Sequence, residues 1–316
     1  MTTIDRVSTP QQTAYLLGQI TKANAALNKT NEQIASGNKA NSYAGFGSQT
    51  QMLQATISAN ARNSAYTAAT TIATTQTDIQ DTQLDSLSNL AAQLKKAVSD
   101  AVANNDPSTL MTQAQAIFSQ AAEILNSQDA NGDYIYGGGN STTPPLSVSS
   151  LSQLMALPSA ANAFTNGSDL KSVQVADGQT VTYGLGASTI GQGLMQALQD
   201  ISNFDAGGSG NFTGSANLSQ AQNTFLTGQI SSLSGVATAL NNATAANGGI
   251  YNQLKSAASH QKDMSTLYSG FISNIQDTNL ADAATQLQLN QTALQAALQV
   301  TSTLNQLTLL NYLPAR

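Results

Sequence analysis

Histidine, glutamate and cysteine, which often carry catalysis or bind transition metals, are scarce or absent in this 316-residue chain. His260 is the single histidine, and Glu32 and Glu123 are the only glutamates. A Ser-His-Asp triad would have to use His260. We interpret His260 as a surface residue, because it falls on a polar helix face with Lys255 and Lys262 nearby. One histidine and no cysteine argue against histidine or thiolate metal sites. We therefore expect no catalytic residue, no metal, no cofactor and no enzyme.

Two weaker patterns could bind a ligand. The run Asp129-Ala130-Asn131-Gly132-Asp133 has oxygen-bearing side chains at alternate positions, as in a calcium loop. Its glycine is misplaced and no bidentate glutamate follows, so a turn that closes a helix is the better interpretation. Tyr134, Tyr136 and Tyr183 could form a surface on which a sugar stacks. The alternative is that these tyrosines pack a joint between helices and an inserted domain.

Charged residues make up only 9% of the chain, against about 25% in ordinary soluble proteins. The chain is hydrophilic through amides and hydroxyls instead. Its net charge of -6 argues against nucleic acid as a partner, since phosphates are bound by clustered Lys and Arg. No run approaches the roughly 20 apolar residues of a membrane span, so we expect no membrane insertion. Residues Met1–Pro10 lack the apolar segment of a conventional signal peptide.

Apolar residues recur in a heptad rhythm at both ends of the chain, over residues 14–34 and 280–310. Such stripes are seams along which one helix packs on another. A terminal helix with apolar residues on more than one face needs more partners than a small domain provides. We therefore predict that both ends pack against copies of the same protein. The assembly residues predicted on these seams are Leu17, Ile20, Leu27, Ile34, Leu287, Leu294, Leu298, Leu304 and Leu307.

The first helix is predicted over residues 10–36, with Gly37 as the left-handed residue after its end. Residues 48–104 form a second helical region, which would be about 85 Å long if continuous. The apolar residues placed on it are Leu53, Ile57, Ile72 and Ile79, followed in heptad steps by Leu87, Ala91, Leu94, Val98 and Ala101.

The pair Asp106-Pro107 predicts a third helix, with Asp106 as N-cap and Pro107 at the first helical position, ending near Ser127. A fourth long helix is predicted over 218–265, with Gly248-Gly249 as the place for a bend or an interruption.

Residues 128–216 are rich in Gly, Ser, Asn and Asp and differ from the helical flanks. Val173–Val175 and Thr180–Tyr183 flank Asp177-Gly178, which predicts a hairpin. A short amphipathic helix is predicted over Leu194–Phe204. The predicted fold is mainly α: a long antiparallel, coiled-coil-like helical rod formed by the N- and C-terminal segments, with a small inserted α+β middle domain. The predicted domains are a core helix and loop at 1–47, the two halves of the rod at 48–127 and 217–277, a variable surface-exposed domain at 128–216, and a C-terminal core helix at 278–316.

Two segments carry a resemblance to a known family. Ile34-Ala35-Ser36-Gly37-Asn38-Lys39-Ala40-Asn41-Ser42 resembles the Leu-Ser-Ser-Gly-x-Arg-Ile-Asn-Ser segment that follows the first helix of bacterial flagellins. Ile275-Gln276-Asp277-Thr278-Asn279-Leu280-Ala281-Asp282-Ala283 is similar to the segment that opens the C-terminal helix of that family. The resemblance covers about 1–140 and 218–316. One departure is Tyr43-Ala44-Gly45-Phe46, which stands where family members usually carry an acidic pair.

Resemblance to the flagellin family implies a structural subunit that self-assembles through its terminal helices into a helical filament for swimming motility. It implies partners as well: other copies of the chain, other flagellar axial proteins and an export chaperone. It also implies export by the flagellar type III apparatus without a cleavable signal peptide, and an extracellular location on the flagellum. The resemblance further implies that the terminal helices become ordered on assembly, which fits seams that are marginal alone.

The position of the subunit along the flagellum is left open between two alternatives. A filament subunit is the first interpretation. The family also includes the hook-associated protein 3 branch, which forms the junction between hook and filament. The run Tyr134-Ile135-Tyr136-Gly137-Gly138-Gly139-Asn140 and the ending Leu309–Leu313 resemble that branch. A third alternative is a flagellin-like surface adhesin whose middle domain binds polysaccharide.

Overall fold

A computed structural model of the chain describes the backbone of residues 9–310, and the side chains of residue 11 and residues 13–303. Residues 1–8 and 311–316 lie outside the described part of the chain. Most of the segment in which no signal peptide is expected, and part of the ending Leu309–Leu313, therefore lie outside it as well. The helices are α1 Thr9–Ser36, α2 Thr50–Asn104, α3 Leu110–Leu125, α4 Leu151–Met155, α5 Ala187–Ala206, α6 Gln220–Gln276 and α7 Leu280–Leu310, with short 3-10 helices at Tyr43–Gln49 and Ala160–Ala163.

The strands are β1 Lys171–Ala176 and β2 Gln179–Tyr183, which pair antiparallel as the hairpin that the sequence predicts. Val173 lies opposite Val181, and the register shifts between Gln174 and Ala176. Gly178 takes a φ of 71°, the left-handed conformation that a tight hairpin turn requires. The prediction of a mainly α fold with a small insert that contains strands is therefore confirmed.

The chain divides into two compact units. Unit 1 comprises residues 1–62 and 264–316, and unit 2 comprises residues 63–263. This division cuts α2 and α6 and differs from the five predicted segments, which stay a prediction. Each unit is described by itself below.

Unit 2 contains the large apolar core. Its main cluster joins the C-terminal half of α2, from Leu84 to Ala101, to α3, α5 and the first part of α6. These helices present leucines and alanines at steps of three and four, the spacing of an amphipathic helix face. The hairpin packs into a second, smaller cluster, formed by Ala73, Val173, Val175, Tyr183 and Leu254.

The N-terminal half of α2 is buried in an unexpected way. Ile72 and Ile79 are 61% and 39% exposed, whereas Thr70 and Thr77 are fully buried. Burial of these two polar residues is possible because both hydroxyls form hydrogen bonds: Thr77 Oγ1 donates to the Ala73 carbonyl, and Thr70 Oγ1 accepts from Gln261. Thr70 and Thr77 continue the seven-residue step of the buried Leu84 toward the N-terminus. The heptad position therefore predicts burial better than hydrophobicity does.

The predicted start of the third helix is wrong. Helix α3 begins at Leu110 after Thr109, and Asp106 does not cap it. The Asp106 carboxylate instead accepts a hydrogen bond from the Ser108 backbone nitrogen at 3.0 Å, which lowers the pKa of Asp106. An aspartate that bonds the backbone two residues on forms a turn of its own, and here that turn precedes the helix.

Three other predicted boundaries change. Helix α6 runs through Gly248-Gly249 without interruption and extends to Gln276. Helix α5 is longer than predicted and begins at Ala187. Helix α2 is continuous, and its 55 residues span about 80 Å.

Candidate functional site

The two segments that resemble the flagellin family meet in unit 1. The Thr278 backbone nitrogen donates to the Gly37 carbonyl at 2.7 Å, and the Lys39 nitrogen donates to the Gln276 carbonyl at 2.7 Å. Asn38 and Asp277 form an isolated antiparallel bridge between them. Gly37 has a φ of 73°, as the sequence predicts for the residue that ends α1. The turn after α1 is therefore bonded to the turn between α6 and α7.

Lys39 holds this joint with its side chain. Its Nζ atom donates to the carbonyls of Asn274 and Ile275, at 2.7 and 3.2 Å, in the last turn of α6. A cation is stabilised at the C-terminus of a helix, because the carbonyls there lack partners and the helix dipole is negative at that end. Gln33 of α1 fixes the Lys39 backbone by donating to its carbonyl at 2.7 Å.

Helix α7 begins with its own cap. Asn279 Oδ1 accepts from the backbone nitrogens of Ala281 and Asp282, at 3.1 and 3.4 Å. Asp282 lies in the first helical turn, where a negative charge opposes the positive end of the helix dipole. Asp282 is also the one charged residue in the sequence of α7, so charge contributes little to which partner this helix binds.

Helices α1 and α7 pack along each other but bury little. Among their described side chains, Thr30 and Ala283 are the buried ones. Thr30 Oγ1 accepts a hydrogen bond from the Asn290 side chain of α7 at 3.1 Å. A pair of helices of this length normally buries a continuous apolar seam, so most of the apolar surface here stays accessible.

The predicted assembly residues follow this pattern. Leu17 is 63% exposed and Leu298 is 51% exposed. Leu304 and Leu307 lie on α7, but their side chains are outside the described residues. The predicted residues that are half-buried are Ile20, Leu27, Ile34, Leu287 and Leu294. Their role in assembly stays a prediction.

The predicted assembly residues leave out part of the exposed apolar surface. Tyr15 is 65% exposed on α1, and it lies outside the heptad step of that helix. Leu280, Leu289 and Val300 are each about half exposed on α7; they belong to the heptad pattern of residues 280–310 but not to the predicted assembly residues. We define the terminal surface as the exposed apolar residues of these two helices: Tyr15, Leu17, Leu280, Leu289, Leu298 and Val300. Heptad spacing finds all of its members except Tyr15, but it does not show which face stays open.

The aromatic-glycine segment in unit 2 is a packing element. Tyr136 is fully buried, its hydroxyl donates to Gln83 of α2 at 2.6 Å, and burial raises the pKa of the phenol. The Tyr136 carbonyl accepts from Ala187 at the start of α5. Gly138 has a φ of 61°, and a Cβ there would lie 2.6 Å from the Gly167 carbonyl oxygen. Large side chains therefore do not fit this turn.

The patterns with possible ligand chemistry have structural roles. Tyr136 and Tyr183 are buried, so they cannot stack on a sugar, and they pack the joint as the alternative interpretation held. Asp129 Oδ1 accepts from the backbone of Asn131 and Asp133, which closes a turn. His260 is exposed, as predicted. Within residues 9–310, no three acidic, histidine or cysteine residues lie close enough to hold a metal ion, and no helix is long and apolar enough to cross a membrane.

The fold and the terminal surface define a class of protein: a mainly helical chain with a large apolar core in one unit and an accessible apolar surface on its terminal helices. Residues 230–313 match the family model described as the bacterial flagellin C-terminal helical region. Flagellar hook-associated protein 3 of Escherichia coli strain K12 is 26% identical over 146 residues, which cover 45% of this chain and 46% of that protein. The chain thus spans about half the length of the curated relative it matches.

Two solved structures share the fold. A protein assigned as a flagellar hook-associated protein from Vibrio parahaemolyticus aligns with a TM-score of 0.58 at 18% identity, covering 72% of this chain and 97% of that chain. FlgL of Bacillus cereus aligns with a TM-score of 0.51 at 12% identity, covering 70% and 98%. Together with the sequence matches, these likenesses confirm the resemblance of the chain to the bacterial flagellin family.

Proposed function

We propose that this chain is a structural subunit of the bacterial flagellum, of the hook-associated protein 3 kind, located at the junction between hook and filament. The named relatives support this position better than the filament position, which was the first interpretation of the sequence. No catalytic activity is part of the proposal.

The observation that carries the proposal is the terminal surface. Covering the accessible half of a leucine such as Leu298 would contribute about 1 kcal/mol, since full burial of a leucine contributes roughly 1.5–3 kcal/mol. A ring or filament repeats each contact in every subunit. Small contributions at Leu17, Leu289 and Leu298 therefore add up in the polymer, although each is weak alone.

The partners that follow from the proposal are further copies of this chain and other flagellar axial proteins. An export chaperone that covers the terminal helices before assembly belongs to the same proposal, as does an extracellular location on the flagellum. Because α7 has a single charged residue, Asp282, and α1 has three, Lys22, Lys29 and Glu32, we expect these contacts to depend mainly on apolar burial and amide hydrogen bonds. Their strength should then change little with ionic strength.

Electron microscopy of cells that lack this gene tests the proposal. We expect hooks without filaments, together with filament subunits shed into the medium, and recovery of filaments when the gene is restored. Missing filaments with no shed filament subunits would favour the filament interpretation. Normal flagella would contradict both.

Immunogold labelling of intact flagella gives a second test of position. An antibody against the exposed residues 207–209 should label only the end of the hook. Labelling along the whole filament would contradict the junction position and support the filament position.

A further inference from the structure

Within unit 2, helices α2 and α6 pair antiparallel, and three hydrogen bonds fix their register. At the lower end, Asn63 Nδ2 donates to the Gln261 carbonyl at 2.7 Å. Fourteen residues along, Asn247 Nδ2 donates to the Thr77 carbonyl at 2.9 Å. At the upper end, Asn105 Oδ1 accepts from the Leu218 backbone nitrogen at 3.0 Å. From the first contact to the second, the step up α2 equals the step down α6, and the third contact joins the residues just beyond the two helix ends.

The heptad layers of this pair fall into two chemically different halves. In the upper half, the buried residues of α2 include Leu84, Leu87 and Leu94, and those of α6 are the leucines Leu226, Leu233 and Leu240 together with two amides, Gln222 and Gln229. In the lower half, most buried positions are polar, and Ala73 and Leu254 are the apolar ones. The buried polar residues there are Asn63, Thr70, Thr77, Gln80, Asn247 and Gln261.

The leucines of the upper half cannot specify a register by themselves. Helix α6 has leucine at three positions that are seven residues apart: Leu226, Leu233 and Leu240. It therefore presents the same side chain to α2 after a shift of one heptad. Repeated identical layers make neighbouring registers nearly equal in energy, and a buried amide is the device that separates them in coiled coils.

The amides of the lower half do not repeat in this way. Gln261 Nε2 donates to Thr70 Oγ1 at 2.9 Å and to the Val175 carbonyl of the hairpin at 2.8 Å. A shift by one heptad would place Asn247 opposite Thr70 or Leu84 and separate Asn63 from Gln261. At least one buried amide would then face leucine without a partner, which is unfavourable.

The same amides are poor contributors to stability. The side-chain oxygens of Asn247 and Gln261, and that of Gln80, are buried and accept no hydrogen bond from another group in the described part of the chain. Apolar residues of similar shape would avoid that desolvation. The unpaired oxygens of Asn247 and Gln261 offset part of what their donated hydrogen bonds contribute to stability, so a contribution to specificity accounts for these two residues better.

We propose that the buried amides of Asn63, Asn247 and Gln261 form a register device that fixes how α2 and α6 pair. The leucine layers supply the burial, and the amides select one of the registers that the leucines accept. The register in turn places the hairpin, because Gln261 bonds both α2 and β1.

Two spin labels can measure the register, because the chain contains no cysteine. Gln93→Cys on α2 and Asn242→Cys on α6 replace exposed residues and attach labels at positions offset along the helix axis. In the otherwise unchanged chain we expect one narrow distance by pulsed electron resonance. In the variant that adds Asn63→Leu, Asn247→Leu and Gln261→Leu, we expect a second population, from helices displaced axially by about 10 Å, seven residues at 1.5 Å each. Thermal stability should not fall.

A matched control removes burial and keeps the amides. Leu240→Ala should lower the melting temperature but leave one distance. A single unchanged distance in the triple leucine variant would overturn the proposal. So would loss of its helical circular dichroism, because the proposal requires that leucine be tolerated at all three positions.

Discussion

Leu298→Asp tests the terminal surface most directly. Leu298 lies on α7 and is 51% exposed, so within the single chain the substitution removes the burial of about half a leucine, which contributes about 1 kcal/mol. We therefore expect the melting temperature of the monomer to fall only slightly.

The effect on assembly should be much larger. The variant loses the roughly 1 kcal/mol available from covering the open half of the leucine. It also moves a carboxylate from water into the apolar contact, where α7 has no basic residue and α1 offers the exposed Lys22 and Lys29. Burying a polar group that gains no well-formed hydrogen bond adds about 2 kcal/mol or more. A total near 3 kcal/mol corresponds to a roughly hundredfold weaker association at each contact.

Sedimentation and negative-stain microscopy measure assembly, and circular dichroism measures folding of the monomer. Gln299→Asp is the matched control, because it adds the same charge one residue along the helix, about 100° around its axis. We expect Gln299→Asp to assemble far better than Leu298→Asp. If Leu298→Asp assembles at the concentration that the unchanged chain needs, the assignment of this seam is wrong.

Three further changes test the local contacts. Lys39→Met should lower the stability of unit 1 by about 1 kcal/mol, read by hydrogen exchange at the end of α6, because it removes the charged donor from that helix end; an unchanged exchange rate would contradict this. Gly138→Ala should lower the free energy of unfolding by about 2 kcal/mol or more in denaturant titrations. Gly132→Ala is the control, because Gly132 has a φ of 85° but open space around an added Cβ, and it should lower the free energy of unfolding by only about 1 kcal/mol. Equal losses would refute the role of crowding. Burial raises the pKa of Tyr136 above its ordinary value of 10.0. The stability that Tyr136 supports is therefore present below about pH 10 and falls as the pH rises further, since only the unfolded chain then loses the proton. Tyr136→Phe should reduce that fall in urea titrations at alkaline pH, and an identical pH profile would show that Tyr136 is not responsible.

Much of the fold could be predicted from local chemistry. The hairpin followed from Asp177-Gly178 between two β-branched runs, and Gly37 predicted the end of α1, because both depend on backbone conformations that glycine adopts most easily. The start of α3 could not be found in this way. An aspartate before a proline suits a helix cap and a turn equally well, and both use the hydrogen bond from Ser108; only the backbone of the residues before Leu110, which is not α-helical, distinguishes them.

The sequence predicts that the terminal helices carry apolar stripes, but not which of these stripes stays exposed. Heptad spacing correctly places apolar residues on both terminal helices, but Leu17 and Leu298 turn out open while Ile20 and Leu294 are half-buried. Spacing defines stripes on a helix, and the position of the neighbouring helix decides which stripe is covered. That position depends on contacts far apart in sequence, such as the bond between Asn290 and Thr30.

The same heptad period leads to opposite outcomes in the two units. In unit 2, the stripe from Leu84 to Ala101 is buried by helices of the same chain, and even threonines are drawn inside where the period requires it. In unit 1, α1 and α7 are as periodic, yet their described side chains bury only Thr30 and Ala283. A period shows that a helix face is built for contact, whereas the number of elements within reach decides whether the chain supplies that contact itself. Since the apolar surface of α1 and α7 exceeds what these two helices cover for each other, we expect the contacts that complete it to come from other molecules, and variants that alter this surface should change assembly before they change folding.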